Sequence, residues 1–187
     1  MIKKNRLYYI ILYNAVLIVK NKLGDSYMNE DKEQLFWGIW NEQEIASSYI
    51  AEYDSIPHLY GEYVMYQAEG QIIDLIAQNH NITCSELAEI TKKTPSACSQ
   101  IVRKLKDRGF VIQTRNEKNN RKYNLSLSDV GEKIYEERKH FTKNCQLIMM
   151  KMLDRFTEEE LIHHIKVQQV INEAYAGDVI RSKEQLK

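Results

Sequence analysis

Glycine and proline are scarce, at 7 and 2 residues in a chain of 187. Both break helices, so so little of either, beside abundant Glu, Lys, Leu and Ile, predicts a mainly helical protein. Cysteine is equally sparse. Three residues cannot all pair with one another and are too few for a disulfide scaffold, which makes a reducing cytoplasm the expected compartment. No uninterrupted 18-residue apolar run occurs, an argument against an integral membrane protein and against a membrane partner. An excess of one charge is also missing: 26 Lys and Arg face 26 Asp and Glu. Taken over the whole chain, that balance counts against nucleic acid as a partner. What remains, 43% hydrophobic and 28% charged residues, is the composition of an ordinary globular chain of one domain or two small ones.

Resolved along the chain, the neutrality disappears. Residues 1–23 carry five bases (Lys3, Lys4, Arg6, Lys20, Lys22) and no acid. Residues 24–80 carry 11 acids against Lys32 alone, a net of −10. Residues 81–125 hold 10 bases against Glu86, Glu89, Asp107 and Glu117, a net of +6, and the remainder is close to balanced. A basic island between acidic flanks is either a solvated face or the electrostatic footprint of a nucleic-acid-binding module.

The N-terminal 27 residues stand apart. Leu7–Val19 is a 13-residue apolar stretch behind a basic start, like the first two regions of a signal peptide, but no small-residue cleavage site follows it. It is also too short to span a bilayer. Met28 opens an acidic, helix-favouring segment, so 1–27 reads as an extension: a start-site artefact, a packed helix or, less readily, an anchor. Asp31 to about Tyr53 is helical by the spacing of Leu35, Phe36, Ile39, Trp40 and Ile45. Ser55-Ile56-Pro57 breaks the pattern. A second helical run is expected over about His58–Gln78, with Ile72, Ile73 and Ile76 on one stripe.

Residues 83–128 are the most informative. Thr83-Cys84-Ser85-Glu86 is a capping box opening a short helix with Leu87, Ala88 and Ile90 on its apolar side. After a turn at Thr91-Lys92-Lys93, Thr94-Pro95 opens a second helix, with Thr as N-cap and Pro at N1. Cys98, Ile101, Val102 and Leu105 form its buried stripe; Ser96, Ser99, Gln100, Arg103 and Lys104 face outward, and Gly109 ends it. Strands are expected at Phe110–Arg115 and from Tyr123 to Ser128, around a polar tip at Asn116–Asn120. Two short helices, the second polar and basic outside, followed by a hairpin, make a winged helix-turn-helix. Ser96, Ser99, Gln100 and Arg103 are the candidates for base and groove contacts; Lys104, Arg115, Lys118, Arg121 and Lys122 are those for phosphate or the minor groove. The competing reading is a small α+β module that binds protein.

At these residues the sequence resembles the MarR (multiple antibiotic resistance regulator) family. The resemblance rests on Ser85-Glu86-Leu87-Ala88, Thr94-Pro95-Ser96, Leu105–Val111, Arg121, and Leu125-Ser126-Leu127-Ser128-Asp129-Val130-Gly131, and covers about residues 30–175. Asn119 departs from it: the family's wing usually carries Asp two positions before its Arg, leaving Glu117 as the substitute partner for Arg121. The resemblance implies a mainly α (α+β) protein, an obligate homodimer whose N- and C-terminal helices intertwine, bound to a pseudo-palindromic double-stranded operator, most often as a repressor. The residues agree: apolar helical patterns run from Ser128 to Phe156 and on from the capping box at Thr157–Glu160, too apolar to stand alone. The expected organisation is an extension (1–27), N-terminal dimerisation helices (28–80), the DNA-binding module (81–128) and C-terminal dimerisation helices (129–187).

Other sites carry less. His140 and Cys145 are five apart and His163-His164 adjacent, spacings that do not converge on a metal. Cys84 sits at a helix N-terminus, whereas Cys98 and Cys145 fall on stripes that read as core. A metal- or redox-responsive regulator is thus the alternative within the same fold. Aromatics crowd the acidic segment, and Trp37, Trp40, Tyr53, Tyr60, Tyr63 and Tyr66 are either dimer core or the lining of a pocket for a small aromatic or lipophilic effector. No nucleophile–base pairing, Gly-rich phosphate loop or metal-ligand spacing is present, so neither enzyme activity nor a cofactor is expected.

Overall fold

The computed structural model describes residues 30–116 and 122–186. The chain divides into two units, at Met1–Ile56 and Pro57–Lys187. In the first, the described residues form one helix, α1 (Glu30–Ser55). At 1.5 Å per residue its 26 residues reach about 39 Å. Phe36 meets Trp37 edge-on at 5.1 Å between ring centroids and Trp40 at 6.1 Å, so the aromatic stripe seen in the sequence is continuous on the helix.

The second unit opens with a correction. Instead of the expected helix from His58, there is a hairpin of β1 (Pro57–Tyr60) and β2 (Tyr63–Tyr66), and the helix α2 (Gln67–Gln78) starts only afterwards. The physical reason lies in the segment itself. Gly61 holds φ +58° at the first of two turn residues, as a type II′ hairpin requires, and alternation buries His58, Tyr60 and Met65 while Leu59 and Val64 face out. The start of α2 is fixed by Glu69, whose Oε2 accepts the Tyr66 N–H at 2.9 Å. Ile72, Ile73 and Ile76 form its buried stripe, as the periodicity predicts.

Next come α3 (Cys84–Thr91) and α4 (Pro95–Asp107), then β3 (Val111–Arg115) antiparallel to β4 (Tyr123–Leu127), in register Val111↔Leu127 through Arg115↔Tyr123. A bridge between Thr83 and Asn124, with the Leu125 N–H on the Ile82 carbonyl at 2.8 Å, ties the start of α3 to the hairpin. One core serves all of these elements, built from Tyr60, Met65, the α2 isoleucines, Leu87, Val102, Leu105, Phe110, Val111, Leu125 and Ile134. Ile90, expected on the apolar side of α3, is exposed.

Two long helices complete the chain: α5 (Asp129–Leu153) and α6 (Glu158–Gln185). Ser128 caps α5, accepting from the Gly131 N–H and donating to the Gly109 carbonyl. Gly131 has no room for a side chain, since a Cβ there would collide with the Phe110 carbonyl. Ile134 packs into the core, but every residue from 142 to 160 is exposed, and α6 has no buried residue. Cys145, expected in the core, is therefore on the surface. Its stripe is apolar, but no described residue of its own unit buries it.

Candidate nucleic-acid interface

The helix-turn-helix is built by local rules. Thr83 accepts the Glu86 N–H while the Glu86 carboxylate takes back the Thr83 N–H (2.7 Å) and hydroxyl (2.7 Å). These bonds, first that from the Thr83 backbone, hold the Glu86 carboxyl below the usual carboxylate range, with Lys122 adding to the effect. Lys92 ends α3 in the left-handed conformation, φ +54°, donating to the Ala88 and Glu89 carbonyls, and so turns the chain sharply into α4. Thr94 then caps α4 by accepting the Ala97 N–H at 3.2 Å, with Pro95 at N1.

Cys98, Val102 and Leu105 seat α4 on the core, so Ser96, Ser99, Gln100 and Arg103 are all exposed on the far side. Arg103 has 83% of its side chain in solvent and pairs with Asp107, at 3.9 Å, one turn on. An exposed pair of that kind is worth well under about 1 kcal/mol and gives way readily to a nucleic acid. Ser99 differs slightly from its neighbours, since its Oγ lies 3.4 Å from the Cys84 Sγ on α3. In the wing, Arg115 and Lys122 are exposed at the outer ends of β3 and β4. Asn116 closes the ladder, its N–H on the Lys122 carbonyl (3.0 Å) and its amide on Asn124 (2.8 Å). Lys118 and Arg121, with Asn119 and the substitute partner Glu117, lie outside the described residues.

Lys104 also has a partner within the protein. Its Nζ lies 2.6 Å from Oε1 of Glu69, a buried carboxylate on α2, and over the Tyr66 ring at 5.5 Å. Arg108 approaches the same carboxylate at 3.7 Å. A second buried charge went unrecognised in the sequence. Arg138 on α5 sits over the Tyr60 ring at 4.6 Å and donates two bonds to Asp74 of α2, at 3.0 and 2.8 Å. Burial pushes this guanidinium toward neutrality, but Asp74 and Tyr60 outweigh it and hold its pKa above the ordinary arginine value. Neither pair has a local signature, because the partners lie 35 and 64 residues apart.

The six aromatic candidates for an effector pocket divide between the two units. Trp37, Trp40 and Tyr53 are on α1, with both tryptophans half-buried. Tyr60 is a core residue, donating to Gln67 at 3.1 Å and meeting Phe141 edge-on at 5.2 Å. Tyr63 is half-buried against Phe110, and Tyr66 is exposed. Among the described residues no three His, Cys, Asp or Glu side chains gather as a metal would require.

Comparison with known proteins places this geometry. The winged helix-turn-helix DNA-binding family model matches residues 67–112, the span from α2 through α4 into β3. The HTH-type transcriptional repressor MdtR of Bacillus subtilis is 26% identical over 107 residues, 57% of this chain and 67% of MdtR. Among solved structures, ZitR of Lactococcus lactis, a zinc-responsive MarR family member, superposes with a TM-score of 0.65 at 17% identity, covering 75% of this chain and 99% of ZitR. Residues 67–112 thus carry a winged helix-turn-helix DNA-binding segment, and the chain shares its fold with MarR family structures. FabT of Streptococcus pneumoniae, solved in complex with DNA, superposes at a TM-score of 0.58 and 18% identity over 76% of this chain and 97% of FabT. The exposed face of α4 lies within the span that the winged helix-turn-helix DNA-binding model matches. No helix among the described residues is long and apolar enough to cross a membrane.

Proposed function

We propose that two copies of this chain form a cytoplasmic homodimeric repressor that sits on a pseudo-palindromic operator and is released by a small aromatic or lipophilic ligand. The observation that carries the dimer is the unpaired apolar surface of the terminal helices. Leu147, Ile148, Met149, Met150, Met152 and Leu153 at the end of α5, and Ile162, Ile165, Val170, Val179 and Ile180 along α6, are all exposed. So much apolar surface on two long helices is the mark of a protein interface, and a second copy supplies the same surface by two-fold symmetry.

Each α4 then faces one major groove, with Gln100 and Arg103 reading base edges and Ser96 and Ser99 at the groove wall. Arg115, Lys118, Arg121 and Lys122 hold the flanking phosphate or the minor groove. The operator is symmetric because the protein is. An effector that binds the DNA-incompetent spacing of the two modules more tightly shifts the population away from DNA. Sedimentation equilibrium at micromolar concentration tests the foundation. A mass of two chains is expected, and a monomer that still binds operator with full affinity overturns the reading.

A further inference from the structure

We propose that Glu69 positions the recognition helix by holding Lys104 and Arg108, so that these two cations act within the protein and do not contact DNA phosphate. The inference rests on the DNA-binding reading and deepens it, because it divides the basic residues of α4 into those that read DNA and those that aim the helix.

The geometry is specific. Glu69 is 5% exposed at its side chain and has a cation on each carboxylate oxygen: Lys104 at 2.6 Å from Oε1 and Arg108 at 3.7 Å from Oε2. Oε2 also accepts the Tyr66 N–H that begins α2. Arg108 extends the clamp, donating from Nη2 to the Val64 carbonyl at 2.8 Å and lying over the Phe110 ring at 4.5 Å. One carboxylate thus joins the β1–β2 hairpin, the first turn of α2 and the last turn of α4.

Helical geometry separates the two groups of cations. At 100° per residue, Ser96, Ser99, Gln100 and Arg103 spread over about 100° opposite the buried stripe, and Lys104 falls another 40° beyond Gln100, toward α2. A buried carboxylate whose partners are taken away is left uncompensated. The Lys104 ammonium therefore stays with Glu69 when DNA arrives, whereas exposed Arg103 gives up Asp107 without such a penalty. Glu69 is a positioning residue, and it sets the angle at which Gln100 and Arg103 meet the groove.

The test is the salt dependence of binding to a 30-base-pair duplex selected by the wild-type protein from a random library. Each phosphate contact contributes about 0.9 to the slope of log affinity against log salt. The doubly substituted Glu69→Gln, Lys104→Met protein removes both charges, while Gln keeps the bond to the Tyr66 N–H. Its slope should match wild type within about 0.3, whereas Lys122→Ala should lower the slope by about 0.9 per half-site occupied. Glu69→Gln alone releases Lys104, so its slope should steepen and its preference for the selected duplex over random duplex should fall about tenfold. A double variant that loses the slope of a phosphate contact overturns the proposal, as does a folded Glu69→Gln protein with wild-type slope and preference. If wild type and Lys122→Ala both bind without salt dependence, the DNA-binding reading itself has failed, and the inference with it.

Discussion

Replacing Gly70 with alanine tests the buried charge that joins the two halves of the winged unit. A Cβ at residue 70 would stand inside the Arg138 guanidinium, overlapping Nη1 and Cζ and 2.7 Å from Nε. An arginine terminus ordinarily swings aside at little cost. Here it is 5% exposed, stacked on Tyr60 and bound twice by Asp74. Moving it breaks both charged hydrogen bonds of a buried guanidinium, and breaking a buried pair costs about 3–5 kcal/mol. The Asp74 side chain is 32% exposed and regains some hydration, which brings the expected loss to the lower end, about 3 kcal/mol. With a urea slope of about 2 kcal/mol/M, the unfolding midpoint should fall by roughly 1.5 M. Arg138→Met provides the control, because without a guanidinium the new Cβ meets little, and the two substitutions should be strongly non-additive. A Gly70→Ala protein within about 0.5 kcal/mol of wild type, or one equally destabilised in the Arg138→Met background, refutes the argument.

Other substitutions probe other levels. Leu105→Ala removes a fully buried side chain from the seat of α4 and should cost about 3 kcal/mol in urea denaturation, with DNA binding lost in parallel as the protein unfolds. Glu86, whose folded pKa lies below its ordinary value, contributes stability that is present above the usual carboxylate pKa and lost as pH falls through the folded one. Wild type should therefore lose more stability than Glu86→Gln between pH 7 and about pH 3, as chemical denaturation at each pH will show. Gln100→Ala should relax base preference at one position of each half-site, read by competition among duplexes, and leave the salt slope unchanged.

The winged module was legible because its signals are local. Thr83 and Glu86, Thr94 and Pro95, and the stripe Cys98, Val102, Leu105 each lie within a turn or two of helix, and all three features stand as read. The β1–β2 hairpin was missed because Ile72, Ile73 and Ile76 suggested a helix extending backward, while the Gly61 turn and the alternation of Pro57–Tyr66 covered only ten residues. Glu69 with Lys104 and Asp74 with Arg138 were illegible for a different reason. Tertiary packing alone brings together residues so far apart in sequence. Lys104 shows the consequence, since its place on a polar helix face gives no sign of its buried partner on α2. Cys145 shows the converse: it lies on an apolar stripe, but no described residue of its own unit buries it.

The central claim, that the +6 segment of a neutral chain is a DNA-binding surface, is tested most directly by the salt dependence of wild-type binding to a random-sequence 30-base-pair duplex. Four basic contacts per chain, on one or two chains, predict that log affinity falls linearly with log salt at a slope of about −4 to −7. An affinity that does not change between about 50 and 300 mM salt would contradict the account.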